Sequence, residues 1–108
     1  VDYGRGNRMS GTFLSFTPTD VYSGTTTNPA SSAAWGWLLS MGAAVRTNAV
    51  APGNTDQPWL LVNRDPTTAS QDNVYVAYDD FTVSPRGMRV AVASGSNPPN
   101  FTTDTWRA

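Results

Sequence analysis

Asn73-Val74-Tyr75-Val76-Ala77-Tyr78-Asp79-Asp80-Phe81 decides how the chain is read. Val74, Val76 and Tyr78 fall on one side of an extended backbone and Tyr75, Ala77 and Asp79 on the other, the period of two that a pleated strand imposes. Downstream, Met88, Val90 and Val92 alternate in the same way with Arg89, Ala91 and Ala93. Upstream, Trp59 to Val62 is a continuous apolar run, which predicts a strand covered on both faces; periodicity alone leaves a short buried helix open. Pro58 suits the entrance of that strand, where a missing N–H is tolerated. Asp56 to Phe101 is therefore expected to hold three successive strands joined by polar loops.

Three motifs in this stretch carry a resemblance: Asp56-Gln57-Pro58-Trp59, Asn73 to Phe81, and Ser94 to Phe101. Together they resemble one blade of the Asp-box β-propellers of the sialidase superfamily. Members often carry an Asp-Lys/Arg-Pro-Trp strand, an Asn-Val-Tyr-Val-Ala-Trp-Thr-Asp-Phe strand, and then a strand that leads into the Asp box, Ser-x-Asp-x-Gly-x-Thr-Trp/Phe. Ser94 and Phe101 keep the ends of that box, whereas Ser96, Pro98 and Asn100 replace its Asp, Gly and Thr. The box is degenerate. In the family such boxes are structural turns remote from the active site, so Ser94, Ser96 and Phe101 are expected to form a turn. The resemblance covers the second half of the chain closely and the first half loosely. It implies an all-β fold of antiparallel sheets, a partial β-propeller of sialidase-like blades.

Composition agrees with an all-β chain. Among 108 residues there is no Lys, Glu, Ile, His or Cys; all seven cations are Arg and all eight anions are Asp. The strongest charged helix formers are missing, and turn and strand formers take their place. A net charge of −1 with scattered arginines argues against nucleic acid as a partner. No apolar run approaches the ~20 residues of a membrane helix. The absence of Cys is compatible with either redox compartment. The Thr, Ser, Asn, Gly and Pro content is of extracellular type and leads to the expectation of a secreted protein. A first residue of Val rather than Met suggests a processed product or an excised piece. Asn100-Phe101-Thr102 matches a glycosylation sequon, a triplet common by chance.

The chain divides into two blade-like segments, 1–55 and 56–108. In the first, Met9 to Phe16 reads as a strand, Thr17 to Ala34 as one long polar loop, Trp35 to Met41 as a strand, and Ala44 to Val50 as its hairpin partner across Gly42. A loop of that length is either a binding surface or a plain surface connection. Six or seven short strands result. A propeller blade takes four strands in about 40–50 residues, so two blades fit and cannot close a ring. The remaining blades lie on other residues, or several copies assemble, or the chain is a small β-sandwich.

Residue types bound the chemistry. Sialidases use a Tyr/Glu pair, an arginine cluster and an acidic residue, and this sequence has no Glu. Catalysis is not expected to be complete within it. Without His or Cys there is no Ser-His-Asp triad and no zinc-type site, and no calcium loop or phosphate loop is present, so neither a metal nor a cofactor is expected. Asp79 and Asp80 are adjacent and point to opposite faces of a strand, so they cannot converge on one bond. Asp79 alone is the catalytic candidate, as one carboxylate of a site completed elsewhere; the alternative is a strand-end role. Asp56 reads as a turn former. Most of the aromatics are expected in the core, and Trp35 and Tyr78 are the candidates for stacking on a sugar ring. The functional expectation is a sialidase-like propeller segment that binds or acts on glycan. The alternative is a structural or assembly β-domain without enzymatic activity.

Overall fold

Period-two patterning becomes two four-stranded sheets in a computed structural model that describes residues 1–16, 19–37, 54–94, 101 and 105–107. The first sheet holds β1 (Asp2–Tyr3), β2 (Met9–Leu14), β3 (Val21–Thr26) and β4 (Gly36–Trp37). The second holds β5 (Thr55–Arg64), β6 (Asp72–Asp80), β7 (Gly87–Ser94) and β8 (Thr105–Arg107). In each, the strands lie in chain order and every neighbour is antiparallel, so both sheets are four-stranded meanders. The fold is all-β, with only two single 3₁₀ turns, Arg5–Asn7 and Ser32–Ala34, among the described residues.

The strand in 21–26 corrects the expectation of an uninterrupted loop from Thr17 to Ala34. Every residue of β3 is buried although four of the six are Ser, Gly or Thr. Buried hydroxyls are tolerated when they are hydrogen-bonded. Ser23 Oγ donates to the Gly11 carbonyl at 3.2 Å, and Thr12 Oγ1 to the Tyr22 carbonyl at 2.7 Å. The Phe13 and Tyr22 rings stack on the other side of the sheet, with centroids 5.3 Å apart. The expected hairpin of Ala44 to Val50 and most of Trp35 to Met41 lie outside the described residues.

The sheets meet through one face of each. Val74, Val76 and Tyr78 of β6 and Ala91 and Ala93 of β7 form the core with Val21 and Phe101, and Leu14, Leu60 and Val62 pack against it. The first sheet lies over this inner face and is pinned at both ends of β5. Thr55 donates from its hydroxyl to the Thr19 carbonyl at 2.7 Å, and the Val62 N–H donates to Asp2 Oδ2 at 2.8 Å. At the rim of the inner face, Arg89 Nε pairs with Asp80 Oδ2, the Asp80 side chain buried and that of Arg89 largely so.

The run Trp59 to Val62 is not covered on both faces, as its unbroken apolarity had predicted. Leu60 and Val62 turn inward, while Trp59 is 73% and Leu61 56% exposed. The β5–β6 register shifts between Asp56 and Trp59, a bulge marked by Gln57 in the left-handed region at φ 47°. Pro58 follows directly. It lies within β5 rather than at its entrance, and the edge position and the bulge both accommodate a residue without an N–H.

Candidate functional site

Cross-strand register arranges the outer face of the second sheet into four rows. At one end Asp56, Asp79 and Met88 lie side by side. Next come Trp59, Ala77 and Val90, then Leu61, Tyr75 and Val92, and at the far end Asn63, Asn73 and Ser94. The two middle rows are wholly apolar or aromatic and the end rows largely polar. Trp59 and Leu61 are exposed on β5 and, two strands away on β7, Met88 is 60% exposed, so with the Ala77, Tyr75, Val90 and Val92 positions between them this is an apolar surface rather than scattered exposed side chains. An apolar centre bounded by polar rows is the layout of an interface core and its rim.

The carboxylates of Asp56 and Asp79 close one end of this surface. They are direct register partners on adjacent strands. Side chains so placed have Cβ atoms about 4.5–5.5 Å apart. Asp56 sits at the bulge, where its Oδ1 accepts the Gln57 N–H at 2.7 Å. Asp79 has no hydrogen bond or ion pair among the described residues. The two half-buried carboxylates with the exposed Trp59 indole in the next row form an acidic, aromatic-flanked edge. Such an edge can accept hydroxyl hydrogen bonds and stack an apolar ring face.

The other expected site residues take different places. Tyr78, expected to stack on a sugar, points inward and is only 5% exposed, because its parity on β6 is that of Val74 and Val76; it is a core residue. Trp35 is half-buried. Its indole Nε1 donates to the Pro29 carbonyl at 3.5 Å and its ring covers Gly11, where a Cβ would stand 3.1 Å from Cζ3. Ser94 ends β7, Phe101 is buried in the core at 3% exposure, and Ser96 lies outside the described residues. Asp80 faces inward to Arg89, so the adjacent aspartates do diverge.

Sequence reasoning missed Asp56 as the neighbour of Asp79. Both lie nearly equally far from the 65–71 loop, so a hairpin between the Trp59 and Tyr75 strands would have brought them close; the bulge at Gln57 then sets the register.

A second concavity lies at the opposite end of β5, where the β1–β2 turn leans on the β5–β6 hairpin. A hollow of about 270 Å³ is walled by Tyr3, Arg5, Val62, Asn63, Arg64 and Asp72. Arg5 is tied down by Asp72, which accepts its N–H at 2.7 Å and its Nε at 3.2 Å. No cluster of three or more metal-ligating side chains occurs among the described residues. Compared with known protein families, with curated proteins and with solved structures, the chain finds no match.

Proposed function

We propose that this chain is a segment of a secreted, sialidase-like β-propeller that binds or acts on carbohydrate at the strand ends where Asp56 and Asp79 meet. The observation that carries the reading is the repeat of one unit. A four-stranded meander stacks on a second four-stranded meander, and the second presents an apolar face outward with Trp59, Leu61 and Met88 exposed. Blades of a propeller are four-stranded sheets packed in succession, and further blades would cover that face. The Asp56/Asp79 row lies at the end of this face, where it stays at the solvent edge of the seam. With no Glu in the chain, a sialidase's Tyr/Glu pair must draw on other residues, so this segment supplies sugar contacts rather than the full reaction.

The test is binding of the full-length protein to a glycan array, repeated with Asp56→Asn and Asp79→Asn. At least a tenfold loss in both variants with no fall in melting temperature is expected. A glycan that binds wild type and both variants equally, or no glycan at all, would overturn the site.

A second reading, a structural or assembly β-domain, is favoured by the same outer face, because an apolar surface with a polar rim also suits another copy of the chain. The two separate in solution. Self-association through Trp59 and Leu61 with no glycan bound selects the assembly domain.

A further inference from the structure

The hollow beside Arg5 is built by a close approach. A side chain at Gly4 would put its Cβ 2.7 Å from Asp72 Oδ2 and 3.2 Å from Val62 Cγ1, so glycine lets the β1–β2 turn settle on the hairpin without displacing the Asp72 carboxylate that holds Arg5. Arg5, Arg8 and Arg64, three of the seven arginines in a chain of net charge −1, line this hollow or the smaller one of about 90 Å³ that adjoins it. Asp72 answers the charge of Arg5. Arg8 and Arg64 have no ion-pair partner among the described residues. With Arg5 balanced by Asp72, Arg64 leaves the hollow with an unbalanced positive charge and Arg8 adds another at the adjoining one, which an oxyanion placed there offsets.

Guanidinium groups present fixed forks of N–H donors that match sulfate and phosphate oxygens in pairs. The hollow is also far larger than the ~30 Å³ share of a single water, and its other walls, Tyr3 and Asn63, bring an aromatic ring, a hydroxyl and an amide. Tyr3 is 62% exposed and accessible to a ligand. We propose that this hollow binds a small hydroxylated molecule that carries one sulfate or phosphate ester, with the ester on Arg64 and Arg5 and the hydroxyls on Asn63 and Asp72. The site is separate from Asp56 and Asp79, which lie at the other end of β5, about 25 Å away at ~3.3 Å per residue. Its success or failure is therefore independent of the glycan site.

Calorimetric titration of the full chain with glucose 6-sulfate, glucose 6-phosphate, glucose and inorganic sulfate tests it. One or both sugar esters are expected to bind at least tenfold more tightly than glucose and than inorganic sulfate, and the stronger ester names the group. Arg64→Gln and Tyr3→Ala are each expected to weaken ester binding at least fivefold with the melting temperature unchanged, while the remote Arg86→Gln has no effect. Inorganic sulfate bound as tightly as the esters, glucose bound as tightly as the esters, or no ester bound by the folded protein would each overturn the proposal.

Discussion

Asp56 faces Asp79 directly across the β5–β6 ladder, one place beyond the bulge that Gln57 makes in β5. Like charges at opposite positions destabilise a sheet by roughly 0.2–1 kcal/mol. The pair therefore works against the fold. Asp79→Asn is expected to raise stability by an amount in that range while it weakens glycan binding. The gain should shrink as salt is added, because the repulsion it removes is screened. Urea unfolding at low and high ionic strength measures it; equal or lower stability of the variant would mean that the two carboxylates are not in repulsive contact.

Trp59 and Leu61 give the outer face a second test. Exposed substitutions away from special features usually change stability by less than about 0.5 kcal/mol, whereas Trp→Ala in a packed core costs about 3–5 kcal/mol. If further blades cover this face, Trp59→Ala in the full-length protein is expected to fall in the second range although Trp59 is 73% exposed here. Chemical denaturation of the full-length variant decides. A change near zero would leave the face open and remove the main support for a ring.

On the inner face, Asp80 and Arg89 form an ion pair with side-chain exposures of 8% and 14%. Asp80 also accepts the Thr82 N–H at 2.8 Å, which fixes the start of the β6–β7 loop. Removing one member of a buried pair leaves the other charge uncompensated and costs about 3–5 kcal/mol. Arg89→Ala and Asp80→Ala are each expected to lose that much. Arg89→Met combined with Asp80→Leu should recover most of it. A double variant as unstable as the sum of the singles would mean that the pair is not coupled.

The parts of the fold that were legible in the sequence are those with aliphatic alternation. β6 and β7 read directly because Val74, Val76, Val90 and Val92 mark their faces. β3 did not, because Ser23, Gly24, Thr25 and Thr26 are buried through hydrogen bonds and close packing that composition does not register. The faces of β5 were misjudged for a different reason. An apolar run reports that both sides avoid charge, and says nothing of whether both are covered within the chain. Asp79 was legible as a strand-end carboxylate, but its partner depended on register. The arginine hollow was out of reach, since it forms between Arg5 and Arg64, brought together only by the stacking of the two sheets.

Acid tests the loops. The carboxyl of Asp65 lies well below its ordinary value of 3.8, because it accepts hydrogen bonds from the Thr67 hydroxyl, the Thr67 and Thr68 N–H groups and the Asn73 amide. For Asp80, burial pushes upward, but the Thr82 hydroxyl and N–H and the Arg89 guanidinium outweigh it, and the net displacement is also downward. Asp2 is lowered by the N–H groups of Val62 and Tyr3. A carboxyl depressed in the folded state takes up its proton first in the unfolded chain, so protons favour unfolding. Each contribution is complete above the unfolded value and is lost as pH falls below about 4 towards the folded values. Stability is expected to be flat with respect to these groups from pH 7 to about 5 and to drop between about pH 4 and 2. Asp65→Asn should be less stable than wild type at pH 7 and fall less steeply below pH 4, because one of the three linked protons is gone. Urea midpoints across that range provide the check. A variant that loses stability with acid as steeply as wild type would show that the Asp65 carboxylate does not hold the 65–71 loop in solution.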